Sequence, residues 1–206
     1  MGVLFVLEDR TFPAAYFVWM AGAFDFFDGF AARILKVSSP IGKELDSLAD
    51  LVSFGLLPSV VMYKLLIAAG APEPLPYFAF SIAVFSAIRL AIFNIDETQR
   101  DSFRGVPTPA NALFITALPL LTGGLVSLLE SPWVLTGIVT VSSYLLVSNI
   151  ELFALKFKDF TWQNNKIRFT FLILSVLLLA ALQVMAIPVI ILLYIALSLG
   201  VQAVSK

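Results

Sequence analysis

Long apolar runs alternate along the chain with short polar or proline-marked breaks. A helix that crosses a bilayer needs roughly 20 mostly apolar residues. Seven runs meet that requirement: Phe12–Leu35, Leu45–Ala69, Leu75–Asn94, Pro107–Leu129, Pro132–Ile150, Ile167–Ala186 and Ile187–Val204. The breaks carry turn formers, at Ser38-Ser39-Pro40, Gly70-Ala71-Pro72, Ser131-Pro132 and Ile187-Pro188. Ser39 suits an N-cap and Pro40 the first helical position after it. Ahead of the first run, Met1–Leu7 is apolar but too short to span, and Glu8-Asp9-Arg10 follow at once. It lacks the basic start and small-residue cleavage site of a signal peptide. It reads as the tail of a first spanning helix whose beginning is absent. The pattern predicts an all-α, polytopic transmembrane helix bundle of about seven full spans plus a partial N-terminal one. A single domain is expected over residues 1–206.

Composition supports that class. The 206 residues are 60% hydrophobic and only 13% charged, with a mean hydropathy of +0.96, well beyond what one soluble core requires. Net charge is -1, and no basic tract points to nucleic acid. There is no Cys and no His, which excludes disulfides, thiol nucleophiles, thiolate metal sites and imidazole acid–base chemistry. Arg33, Lys36 and Lys43 flank one connector. Arg100 and Arg104 lie in the next but one, and Lys156, Lys158, Lys166 and Arg168 in the next alternate one. Positive residues mark the cytoplasmic side. The expectation is an integral protein of the cell (inner) membrane with the Arg33–Lys43 connector in the cytoplasm.

Four acids then stand out. Asp25 and Asp28 are three apart, and Asp46 and Asp50 four apart, so each pair lies on one helical face. The short turn between them makes the two helices neighbours, which lets the acidic faces meet. An Asp at the bilayer centre costs about 2.5–3.5 kcal/mol on the insertion scale, so four central ones would cost roughly 10–14 kcal/mol. The carboxylates also repel one another. A bound divalent cation removes both penalties, and oxygen-only ligation suits Mg²⁺, Mn²⁺ or Ca²⁺. A competing reading makes the acids solvated helix caps. Four of them, accompanied at helical spacing by Gly29, Ala32, Gly42 and Ala49, favour the metal site.

The order Asp-x-x-Asp-Gly-x-x-Ala-Arg, eight residues, then Gly-x-x-x-Asp-x-x-x-Asp resembles the signature of the CDP-alcohol phosphatidyltransferases. Asp25, Asp28, Gly29, Ala32, Arg33, Gly42, Asp46 and Asp50 fill every position of it. The resemblance implies transfer of a phosphatidyl group from a CDP-linked lipid to an alcohol, with release of CMP. It implies that Asp25, Asp28 and Asp46 hold Mg²⁺ or Mn²⁺. Asp50 is implied to be the base and also a metal ligand. Asp28, Gly29, Ala32, Arg33, Gly42 and Asp46 are implied to bind the CDP-lipid, and a homodimer is implied. Guanidinium is a planar fork for phosphate oxygens, which suits Arg33. The same Arg would also serve as a cytoplasmic-side anchor.

A second stretch, Ser86–Leu113, resembles the region that marks the membrane-type, serine-using branch of that family. Arg89, Leu90, Ala91, Phe93 and Asn94 match, as do Phe103, Gly105, Pro107, Thr108, Pro109 and Ala110. Ile92 stands where that branch carries a second Arg, and Val106 where it carries Leu. The implied reaction joins CDP-diacylglycerol and L-serine to give phosphatidylserine. Serine brings a carboxylate, an ammonium and the attacking hydroxyl. Arg89 and Arg104 are candidates for the carboxylate, and Asn94 for a further polar contact. Arg89 could instead pair with an Asp inside the bundle, and Arg104 could anchor the interface. Glycerol 3-phosphate or inositol phosphate is the alternative acceptor, although either would call for a denser basic pocket. A cation-coupled transporter is the alternative from another class, and it would place acids near the midplane.

Overall fold

The computed structural model describes residues 1–8, 11–35, 39–96, 102–153 and 161–204, and these are overwhelmingly helical. Lys36, Ser38, Arg100, Lys156 and Lys158 of the sequence analysis lie outside them. Helix α1 (Gly2–Leu7) packs on α2 (Thr11–Leu35) and on α4 (Leu57–Ala68). Between those two, α3 (Pro40–Asp50) opens as the sequence indicates. Ser39 is extended, its Oγ accepts the Gly42 N–H at 3.0 Å, and Pro40 follows.

α3 runs into α4 without a break, through a widened π-helical turn over Leu51–Leu56. Pro58 explains the widening. It has no N–H to offer the carbonyl of Phe54, four residues earlier, and a helix relieves such a loss by adding a residue to the turn. The same turn makes a close approach to α5 (Ser81–Ile95). A Cβ on Gly55 would sit 2.9 Å from Leu51 Cδ1 and 3.1 Å from Ser86 Cβ. α4 ends at Gly70 in the left-handed region, where Gly70 N–H bonds Ile67 O and Ala71 N–H bonds Leu66 O. That paired closure is the Schellman arrangement that glycine permits. A 3-10 turn over Leu75–Phe80 leads into α5.

After α5 the chain departs from the expected spans. β1 (Ser102–Arg104) pairs antiparallel with β2 (Glu151–Phe153), with Phe103 opposite Leu152 and Arg104 opposite Glu151. α6 (Thr108–Ala117) is shorter than the run Pro107–Leu129 indicates. It passes through a 3-10 turn at Leu118–Leu120, breaks at Leu121 and Thr122, and restarts beyond Gly123-Gly124 as α7 (Val126–Leu129). Pro119 and the glycine pair account for the break. α8 (Pro132–Val147) follows and ends before Ile150. The last two helices are α9 (Trp162–Leu182) and α10 (Ala186–Val204), which pack on each other. They divide at Gln183, with φ at 51°, a few residues before the expected Ala186–Ile187 boundary.

Among the described residues, three helical segments are long and apolar enough to cross a membrane: Pro40–Ala68, Leu75–Ile95 and Asn165–Gln202. The apolar helices Thr108–Leu120 and Pro132–Val147 are shorter. α4 sits centrally, against α1, α2, α5, α6 and α8. Met62, Leu66, Ile82, Ile115, Leu135, Val139 and Leu146 form one core there. Phe54, Val18 and Val61 belong to a second, beside α2.

The ribbon is held by one glycine. Gly105 has φ at +74°, and a Cβ there would lie 2.5 Å from the carbonyl oxygen of Leu146. Gly105→Ala therefore combines left-handed strain with a backbone clash. It is expected to destabilise the protein by about 2–3 kcal/mol, read as a lower midpoint of thermal unfolding in detergent.

Candidate active site

α2 contributes Asp25 and Asp28 one turn apart, and α3 contributes Asp46. One carboxylate oxygen from each lies within 4.8 Å of the other two. A hard divalent cation binds oxygens at about 2.0–2.6 Å, so two ligands of one ion stand about 4–5 Å apart or closer. Three carboxylates at this spacing, two exposed and one half-buried, therefore fit such an ion. Asp50 lies one turn beyond Asp46 and is half-buried. It is outside the three-way cluster but interacts by charge with Asp25, Asp46 and Asp28, and with Arg89 on α5.

The small residues divide by role. Gly29 faces open space, with no atom within 4 Å of where a Cβ would stand. Room is thus left beside Asp25 and Asp28. Gly42 has a different reason to be glycine, because a Cβ there would come 2.9 Å from Ser39 Oγ, the cap acceptor. Its smallness serves the start of α3. Ala32 is half-buried on α2. Arg33 belongs to the same helix, and its side chain lies outside the described residues.

Arg89 lies deeper in the protein. It is only 8% exposed. Its Nη1 donates to Thr108 Oγ1 at 3.1 Å, and its guanidinium carbon stands 6.0 Å from the Phe93 ring centroid. It interacts by charge with Asp50 and with Tyr194 of α10, so both sequence readings of Arg89 have a basis. Its Nε is buried without a hydrogen-bond partner among the described residues. A small cavity of about 90 Å³ lies alongside, lined by Arg89, Ile92, Asp96, Arg104, Ser148 and Asn149 among others. Arg89 and Arg104, 15 positions apart in sequence, are brought to one wall by the β1–β2 ribbon.

Asn94 is placed otherwise. Its Nδ2 donates to Ser47 Oγ at 2.9 Å and to Glu44 Oε2 at 3.4 Å, while Lys43 Nζ donates to its backbone carbonyl at 2.6 Å. It clamps the end of α5 to α3 and does not line the cavity. Three polar residues of the cavity were not singled out by sequence: Asp96, Ser148 and Asn149. Asp96 carried the one usable signal, an acid directly beyond the Arg-to-Asn stretch. Ser148 and Asn149 sit in a connector with no periodic pattern.

Comparison with known proteins bears on the family. Residues 1–145 match the CDP-alcohol phosphatidyltransferase family. The chain is 34% identical over 150 residues to a Bacillus subtilis protein named CDP-diacylglycerol--serine O-phosphatidyltransferase, covering 71% of this chain and 77% of that one. A Mycobacterium leprae protein of the same name is 36% identical over 160 residues, 73% of this chain and 52% of that protein. A Helicobacter pylori one is 29% identical over 194 residues, 91% and 80%. The chain thus spans about half the length of the mycobacterial relative and some four-fifths of the others. The match takes in both helices of the acidic cluster, all eight signature positions and the Arg89 wall of the cavity, and on that ground the chain belongs to the CDP-alcohol phosphatidyltransferase family.

Proposed function

We propose that this chain transfers a phosphatidyl group from CDP-diacylglycerol to L-serine, releasing CMP and forming phosphatidylserine. The observation that carries the reading is the adjacency of two sites. Three clustered carboxylates on α2 and α3 connect, through the charge pair Asp50 and Arg89, to a small cavity bearing Arg89, Arg104 and Asp96. A divalent cation, Mg²⁺ or Mn²⁺, held by Asp25, Asp28 and Asp46 would neutralise the pyrophosphate and the charge developing on CMP. Asp50 accepts the proton of the serine hydroxyl as its oxygen bonds the lipid phosphorus and the bond from phosphorus to CMP breaks. Arg89 and Arg104 take the serine carboxylate, and Asp96 offers a counter-charge for the ammonium. Arg33 and the space at Gly29 serve the CDP group. Asn94 acts on the site through α3.

We further propose seven spans. Asn165–Gln202 has 38 residues, about 57 Å as one helix, nearly twice the roughly 30 Å hydrocarbon core. The break at Gln183 divides it in two. With α2, α8 and the interrupted stretch from α6 to α7 the count reaches seven. The Lys43 end of α3 meets the end of α5, and Arg104 on β1 pairs with the β2 segment ahead of α9. The basic connectors therefore share one rim, which we assign to the cytoplasm. A homodimer in the cell (inner) membrane completes the proposal. Acids gathered at this rim leave the transporter alternative without support.

The test is an acceptor screen with labelled CDP-diacylglycerol, reading CMP release. L-Serine is expected to accelerate release, and glycerol 3-phosphate and inositol phosphate are not. Two arginines in about 90 Å³ suit a monoanionic carboxylate, and a phosphate dianion calls for more cations. Preference for glycerol 3-phosphate would overturn the serine assignment. Arg89→Ala is expected to raise the serine KM at least tenfold, since a charged hydrogen bond contributes about 1.5–3 kcal/mol. Steady-state kinetics at varied serine reads the change, and an unaltered KM would remove Arg89 from the acceptor site.

A further inference from the structure

A second cavity, of about 350 Å³, opens between α6, α8 and α10. Its wall on α8 is a continuous track of Val134, Gly137, Val141 and Leu145, 12 residues or about 16 Å from end to end. Two polar side chains interrupt the apolar lining, Asn111 and Ser142, each 4% exposed. Ser142 Oγ donates to Asn111 Oδ1. Asn111 Nδ2 is buried without a hydrogen-bond partner among the described residues. A lone donor in an apolar groove is unfavourable unless something arriving there supplies an acceptor.

The groove begins where the small cavity ends. Thr108, which accepts from Arg89, lies one helical turn from Asn111 on α6. Leu145 lines the groove, and its neighbour Leu146 lines the small cavity. A polar track thus leads from Arg89 to Asn111, and an apolar one continues from there.

We propose that this groove holds one acyl-ester arm of the CDP-linked lipid donor. The ester carbonyl accepts from Asn111 Nδ2, and the hydrocarbon chain follows α8 from Leu145 toward Val134. A helix of a second copy fits less well, because its backbone carbonyls are already bonded within the helix. An ester offers only acceptors, which the unpartnered donor requires. The proposal rests on the phosphatidyl-transfer reading.

Gly137 allows a direct test. No atom lies within 4 Å of where its Cβ would stand, so a larger side chain enters the groove without striking packed protein. In the purified full chain, Gly137→Phe is expected to raise the KM ratio of CDP-dioleoylglycerol to CDP-dihexanoylglycerol about tenfold. A donor carrying a diazirine on its acyl chain is expected to label residues 134–145. An unchanged ratio with labelling elsewhere overturns the proposal. So does a Gly137→Phe protein that slows both donors equally and changes particle mass in light scattering, which would mark a contact between copies. Should the unmodified protein turn over neither donor, the transfer reading fails. Photolabelling of 134–145 then supports the groove, and its absence overturns it.

Discussion

Asp50→Asn is expected to lower turnover by about 10²–10⁴-fold, the range over which a positioned general base contributes, with CDP-lipid binding little changed. The amide keeps the shape of the carboxylate but cannot accept the hydroxyl proton. The position supports a role separate from that of the other acids. Asp50 lies outside the cluster of Asp25, Asp28 and Asp46, and it is the acid that interacts by charge with the buried Arg89. It thus stands between the carboxylates and the cavity that would seat serine. Single-turnover release of CMP, with donor binding measured separately, distinguishes the roles. Near-normal turnover in Asp50→Asn would transfer the base assignment elsewhere. A large loss of donor binding would instead return Asp50 to the ligand set, the other role the resemblance allows.

How far the site could be read from sequence depended on how local each feature is. The acidic pairs were legible because helical spacing alone puts Asp25 with Asp28 and Asp46 with Asp50. The turn between them announced itself through Ser39 and Pro40, and the cap forms as expected. The cavity was only half legible. Arg89 and Arg104 were visible as cations in an apolar chain, but their meeting depends on a ribbon of two three-residue strands. Strands that short have no readable period, and their pairing spans 47 residues from Arg104 to Glu151. Asn94 bonds Ser47 and Glu44 and so links α5 to α3, a connection that residue type alone does not announce. The run at Pro107–Leu129 misled for another reason. Hydropathy counts Pro119 and Gly123-Gly124 as near-neutral, while backbone chemistry breaks the helix there.

Removal of divalent cations is expected to abolish CMP release in membranes treated with EDTA, and Mg²⁺ or Mn²⁺ to restore it. The argument begins with cost. Asp25, Asp28 and Asp46 bring oxygens within 4.8 Å of one another, and like charges at that distance repel strongly wherever water is scarce. His and Cys are absent from the chain, and the three clustered side chains are all carboxylates, so the donor set is all oxygen and suits a hard ion. The donor's pyrophosphate adds further negative charge, and it cannot approach three bare carboxylates without a compensating cation. Asp28→Asn removes one charge from the set. It should raise the Mg²⁺ concentration for half-maximal activity, by at least the 10–100-fold that loss of an outer-shell partner costs, and impair both donor binding and turnover. Gly29→Ala provides a contrast. Its Cβ would meet no atom within 4 Å, so it should leave the Mg²⁺ titration in place while weakening donor binding. Full activity after EDTA treatment, with no metal returned, would refute the cation site and leave the clustered acids as solvated helix caps.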